Sequence, residues 1–261
     1  MRFLHRPIVL LTDFGRRDPF AGIMKGVILA RAPQATILDL SHGIPPGDIP
    51  AAALALRQAV PYFPKRSIFT VVVDPGVGSQ RRVVWGRSRK HDFLAPDNGV
   101  LTWLQNEDKI VEWREVANAN LFLSKVSSTF HGRDILSPVA ASLANGLKPG
   151  KLGPKIKDPI RLSWPEPKRV EGGLEGVILS CDHFGNVVTN IPVNQVPQHA
   201  HVIHRKRDLG PLRTHYAAVP PGRPLAVAGS AGLIEISTRD GDYSARARAR
   251  RGETVHVRYQ R

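Results

Sequence analysis

Short, wholly apolar runs alternate with amphipathic stretches through the first half of the chain. Ile8-Val9-Leu10-Leu11 is uninterrupted and stops at Thr12-Asp13-Phe14-Gly15, the pattern of a strand buried on both faces that ends in a loop. Phe20, Ile23, Met24, Val27 and Ile28 then recur at helical spacing up to Pro33, which predicts a helix covering the sheet, with Gly26 allowing a close approach. Residues 37–40 read as the next strand. Asp48 ahead of Pro50 reads as an N-cap and first turn leading into a helix over 51–60. A third apolar run, residues 68–73, completes the order β-α-β-α-β, which predicts a mainly parallel sheet with right-handed crossovers. Residues 83–85 and 93–95 add a strand pair, and Pro96-Asp97-Asn98-Gly99 turns into a helix through Leu101 and Leu104.

The pattern changes after Gly146. Pro149, Pro154, Pro159, Pro165 and Pro167 fall among Lys and Gly with scattered apolar residues, the composition of a linker. Beyond it, strand-like apolar segments return at residues 176–179, 187–189, 200–203, 225–228, 233–236 and 255–257. The expected fold class is therefore α/β, with an N-terminal, mainly parallel α/β domain over residues 1–150. A linker over 151–171 and a smaller C-terminal all-β barrel domain over 172–261 follow.

The third strand delivers Asp74 into Pro75-Gly76-Val77-Gly78, where Pro75 has no amide hydrogen for a ladder and the glycines permit a tight turn. Open α/β sheets bind ligands beyond the carboxyl ends of their strands, so Asp74 and Asp13 are both candidates, and Arg81 lies far enough along to fold back on Asp74. His131, in Ser128-Thr129-Phe130-His131-Gly132-Arg133-Asp134, stands just ahead of a predicted helix. The positive end of that helix would lower its pKa, and a neighbouring carboxylate would raise it. No G-x-G-x-x-G follows the first strand and no G-x-x-x-x-G-K-[ST] occurs, so neither a dinucleotide fingerprint nor a P-loop is available.

Composition narrows the classes further. The single Cys181 excludes an internal disulfide framework and a zinc site of several thiolates. Met1 to Arg6 hold no apolar run of signal-peptide length, and nowhere are there about 18 consecutive apolar residues, so a cytoplasmic protein without membrane contact is expected. The formal net charge of +15 is the one extreme, and it makes nucleic acid the rival partner. Arg246, Arg248, Arg250 and Arg251, spaced among alanines, read as the solvated face of an edge strand. No aromatic residues interleave them to stack bases, so specific nucleic-acid binding is not expected.

Several stretches carry a resemblance in a fixed order: Thr12-Asp13-Phe14-Gly15 with Asp18 and Met24-Lys25-Gly26; Val73-Asp74-Pro75-Gly76-Val77-Gly78-Ser79-Gln80-Arg81-Arg82; and Ala95-Pro96-Asp97-Asn98-Gly99. They continue with Thr129-Phe130-His131-Gly132-Arg133-Asp134, then Asp182-His183-Phe184-Gly185-Asn186 with Thr189-Asn190-Ile191, then Gly229-Ser230-Ala231-Gly232-Leu233-Ile234-Glu235-Ile236. Together they resemble the S-adenosylmethionine (SAM) hydroxide adenosyltransferases, adenosine-forming SAM hydrolases related to the SAM-dependent fluorinase and chlorinase. The resemblance implies an N-terminal α/β domain, a C-terminal barrel, no metal or other cofactor, and a homotrimer. Its active sites would lie where one subunit's N-terminal domain meets a neighbour's C-terminal domain.

By motif position, Asp74, Arg81 and His131 would handle water. Asp13 would hold the ribose hydroxyls, Asp182 and Ser230 the amino and carboxylate ends of methionine, and Phe184 with Asn186 the adenine. Ala231 departs from halogenase relatives, which carry an arginine after the serine, so the methionine carboxylate needs a backbone amide or another cation. The halogenases also replace the aspartate of the Asp-Pro-Gly-Val-Gly pattern and add an insertion not seen here. The expected activity is therefore hydrolysis of SAM to adenosine and L-methionine, with proton transfer open between Asp74 and His131. The alternatives are a non-catalytic SAM or adenosine sensor and a SAM-dependent halogenase.

Overall fold

Ile8, Val9, Leu10 and Leu11 are all buried because β1 (Ile8–Thr12) is covered on both faces, which is why its sequence shows no polar alternation. The computed structural model describes residues 6–107 and 110–259, the side chains of residues 106 and 107 excepted, so most of the N-terminal stretch read above for a signal peptide lies outside the described residues. β1 runs parallel to β2 (Ile37–Ser41) on one side and to β3 (Ile68–Val72) on the other. β4 (Val83–Arg87), β5 (Asp92–Pro96) and β6 (Glu112–Glu115) complete a sheet of order β2-β1-β3-β5-β4-β6, with β5 parallel to β3 and β4 antiparallel to both its neighbours.

Helix α1 (Phe20–Arg31) turns Met24 and Ile28 into the core with Ile8, Leu10, Val72 and Trp85. Gly26, expected at the closest approach to the sheet, is instead exposed, with nothing within 4 Å of where its Cβ would be. The apolar stripe of α1 does the packing and Gly26 lies outside it. Asp48 caps α2 (Ile49–Ala59), its Oδ1 accepting from Ala51 N at 3.0 Å, as the Asp-x-Pro signal predicts. α3 (Thr102–Glu107) and α4 (Ser137–Ala144) finish this unit, and α4 is buried through Val139, Ala140 and Leu143.

The topology creates the crevice. The chain leaves β1 for β2 on one side and returns to β3 on the other, so the carboxyl ends of β1 and β3 diverge at a switch point, with Asp13 following one and Asp74 the other.

The chain divides into two units, Met1–Ser163 and Trp164–Arg261. Leu152 is buried in the first unit's core and Arg82 donates to Asp158 at 3.0 Å, so the early part of the Pro-rich stretch packs on that unit. The second unit is a nearly closed barrel. Its strands are β7 (Lys168–Val170), β8 (Gly173–Cys181), β9 (Val187–Pro192), β10 (His201–His204), β11 (Arg207–Pro211), β12 (Pro224–Ala228), β13 (Leu233–Thr238) and β14 (Thr254–Arg258). They pair antiparallel in the order β11-β10-β14-β8-β9-β13-β12, with β7 beside β8. Arg213, just past β11, exchanges backbone bonds with Ala226 and Ala228 of β12 and draws the two ends of the sheet together.

The arginine-rich stretch is not an edge strand. Asp242 caps a short helix, α5 (Tyr243–Ala247), accepting from Ala245 N at 2.8 Å, and Arg248 ends it in the left-handed region at φ 50°. The alternation was overridden by a strong cap and by Tyr243, which anchors the helix in the barrel core. Among the described residues no helix is long and apolar enough to cross a membrane.

Candidate active site

β3 ends two residues before Asp74, and the intervening Val73 is braced by Asn98, whose Nδ2 donates to Val73 O at 2.9 Å. The turn then closes through Val77 N to Asp74 O and Ser79 N to Gly76 O. Gly78 sits at φ 79°, and a Cβ there would lie 2.3 Å from Ser128 O, so the loop leading to His131 rests directly on this turn. Arg81 folds back as its position in sequence suggests. Its Nε donates to Asp74 Oδ1 at 2.8 Å and its Nη2 donates to Asp74 Oδ2 and to His131 Nδ1, the latter at 2.7 Å. With the Arg81 and Asp74 side chains only 9% and 5% exposed, this is a desolvated pair and not a surface salt bridge.

The guanidinium has no lone pair, so His131 Nδ1 must accept, and the neutral ring carries its hydrogen on Nε2. Burial, then the Arg81 charge, hold the His131 pKa below its usual value, against the opposing pull of Asp74 and Asp134. His131 precedes a single π-helical stretch, Gly132–Leu136, that runs into α4. A Cβ on Gly132 would come within 3.1 Å of Val72 and 3.3 Å of Met24 Sδ, so this backbone lies against the end of β3 and against α1.

Asp13 faces the same crevice from β1. Gly47 N donates to its Oδ2 at 2.8 Å, and the Cβ position of Gly47 is 3.6 Å from Pro75, which ties the Asp13 loop to the Asp74 turn. A chain that starts at the surface and runs inward supports it: Lys25 Nζ donates to Asp39 Oδ2 at 2.6 Å, both partly exposed, and the buried His42 has its Nε2 3.1 Å from Asp39 Oδ1. Thr12 Oγ1 and His42 Nδ1 are 2.8 Å apart, and Phe14 N donates to Thr12 Oγ1. Gly15 N donates to His42 O, so His42 clamps both sides of the Asp13 loop. Sequence reasoning missed His42 and Thr12. A histidine one residue past a strand end was the available signal.

In the barrel unit, Asp182 organises its own loop. Its Oδ1 accepts from Phe184 N and Asn186 N, and its Oδ2 accepts from Asn186 Nδ2 at 2.8 Å. Gly185 is obligatory at φ 79°, since a Cβ would lie 2.0 Å from Asp242 Oδ1. This leaves Phe184 75% exposed, an aromatic face presented to solvent. Ser230 follows Gly229, whose Cβ position is 2.2 Å from Glu235 Oε1. Glu235 is buried, Tyr216 OH donates to its Oε2 at 3.2 Å, and burial reinforced by Asp182 pushes its pKa up. Glu235 and Tyr216 were not read as site residues from sequence. The Asp182 charge acts on both Glu235 and Tyr216, and Glu235 lies against the Gly229-Ser230 turn, so these acidic groups share one region of the barrel unit.

Residues 8–153 match the family model of the SAM hydroxide adenosyltransferase N-terminal domain, and residues 176–256 that of the C-terminal domain. The chain belongs to the SAM hydroxide adenosyltransferase family. A relative named (R)-S-adenosyl-L-methionine hydrolase, from Thermus thermophilus, is 38% identical over 90% of this chain and 93% of its own length. A fluorinase from Actinoplanes sp. is 29% identical over 70% of this chain and 71% of its own. Among solved structures, an uncharacterized conserved protein from Thermotoga maritima superposes with a TM-score of 0.92 at 33% identity, covering 97% of this chain and all of that one. The chain thus shares both units with these relatives.

Proposed function

We propose that this SAM hydroxide adenosyltransferase hydrolyses S-adenosyl-L-methionine to adenosine and L-methionine in the cytoplasm. The observation that carries the reading is the buried contact of Arg81 with both Asp74 and His131 at the mouth of the β1–β3 crevice. The C5′–S bond breaks with its electron pair on sulfur, giving a neutral thioether that needs no protonation. A C5′–O bond forms in line from the opposite side, and one proton is released. Water, with a pKa of about 15.7, is the obstacle. Arg81, permanently cationic, and the Nε2–H of His131 stabilise hydroxide character on the attacking oxygen, and Asp74 accepts the proton.

For the substrate, Asp13 takes the ribose hydroxyls with its Oδ1, and Phe184 stacks adenine while Asn186 reads its edge. Asp182 and Glu235 attract the ammonium of methionine, and Ser230 takes its carboxylate. We further propose a homotrimer in which the first unit of one subunit and the second unit of a neighbour complete each site. The names of the hydrolase relatives support the substrate, and the intact Asp74 supports water over halide.

The test is incubation of purified protein with SAM in halide-free buffer, followed by chromatography of the products. Equal amounts of adenosine and methionine, lost in Asp74→Asn while SAM still binds, are expected. Absence of adenosine with calorimetric SAM binding intact would overturn the reading in favour of a sensor. A 5′-halo nucleoside on addition of chloride or fluoride would overturn it in favour of a halogenase.

A further inference from the structure

The barrel unit holds a concavity outside every residue assigned to SAM. The β10–β11 hairpin, the segment before β12 and helix α5 border a half-open cavity of about 370 Å³, in the size range of small-ligand sites. Its floor is polar and buried, made by His204, Tyr243 and Thr238. His204 is fixed there, its Nδ1 2.8 Å from Tyr243 OH and its Nε2 3.1 Å from Glu253. Arg205, Arg207, Arg223 and Arg246 line the rest, and among the described residues no carboxylate lines it. Arg205 is committed to the fold, donating to Glu253 and to the carbonyls of Ala247 and Arg248 at the end of α5. Arg246 spends one nitrogen on Gly222 O at 3.1 Å, and Arg207 and Arg223 have no ion-pair partner among the described residues.

A similar cavity in the first unit provides the contrast. There Arg6 and Arg87 converge in a space of about 320 Å³, but Asp92 sits among them and accepts from both. That site carries its own anion. The barrel cavity gathers four exposed arginines, and among the described residues only Arg205 has a carboxylate partner, so Arg207, Arg223 and Arg246 keep their charge available to an anion. Each guanidinium presents a planar fork that pairs with two oxygens, so three forks around one cavity match an anion with several oxygen edges. A monocarboxylate could engage only one.

We infer that this cavity binds a small phosphate-bearing anion with at least two negative charges, held by Arg207, Arg223 and Arg246. Inorganic oligophosphates and the phosphate chain of a nucleotide share that chemistry. The inference is independent of the SAM assignment, since none of these arginines belongs to that site.

Calorimetric titration with pyrophosphate, tripolyphosphate and ATP at constant ionic strength tests it, on the full chain and on the double variant R207S/R223S. Saturable binding of one anion per chain is expected, weakened at least about tenfold in the variant, with SAM turnover in anion-free buffer unchanged. Tighter binding of ATP than of tripolyphosphate would identify a nucleotide as the source, and equal binding the phosphate chain alone. Undiminished binding in the variant would overturn the inference by assigning the effect to the diffuse surface charge. So would the absence of saturable binding of all three anions to the unaltered protein.

Discussion

Arg81 determines the protonation state of its neighbours by having only donors to offer. While it donates to His131 Nδ1, that nitrogen must stay unprotonated, and burial together with the Arg81 charge already pushes the ring toward neutrality. The sign follows directly. Because the folded pKa lies below the ordinary value of 6.5, turnover should be level above that pH and fall on acidification below it, as protonation at Nδ1 expels the guanidinium. A pH profile of kcat should lose this limb in His131→Gln; an unchanged limb would assign it to another group. A second residue-scale expectation concerns Thr12, whose hydroxyl links Phe14 N to His42. Thr12→Val should raise KM for SAM about tenfold, the equivalent of roughly 1.4 kcal/mol, with kcat little changed, whereas Thr12→Ser should restore it. Equal KM in both variants would mean that the chain does not position Asp13.

At the scale of elements, the site is an agreement between two strand ends and one loop. The turn after β3 and the segment before the π-helical stretch touch through Gly78 and Ser128, so their separation is set by a missing side chain. Gly78→Ala should cost about 1–3 kcal/mol from the left-handed backbone alone, lowering Tm by several degrees. It should also lower kcat well below wild type at temperatures where the variant is folded, because the His131 loop is pushed off Arg81. Thermal melts and turnover measured on the same preparation check this, and full activity in a destabilised variant would disconnect the contact from catalysis. Much of this level was legible beforehand. β1 and β3 announced themselves as unbroken apolar runs, and Asp48 as a cap, because those signals are local. The stretch from Arg246 to Arg251 was misread as a strand because its alternation is equally local, while the burial of Tyr243 that selects a helix is decided by the barrel.

At the scale of the molecule, the candidate residues are split between an α/β unit and a barrel unit, each with its own core. The proposed trimer makes a direct prediction. Co-expressed Asp74→Asn and Asp182→Ala chains, each inactive alone, should regain SAM hydrolysis when mixed within one oligomer, since one intact site can then form across a subunit boundary. No regain in a verified mixed oligomer would place complete sites within single subunits. By itself the sequence determined the two-part architecture, the strand ends that carry Asp13 and Asp74, and the motif order that marks the family, since apolar period, turn chemistry and motifs are written in consecutive residues. Only the tertiary structure decided that Arg81 spans Asp74 and His131, that His42 holds the Asp13 loop, that Glu235 lies buried within reach of the Asp182 charge, and that four arginines line one cavity. Those facts depend on which side chains meet across long stretches of chain and how far water is excluded from them, and neither property is local.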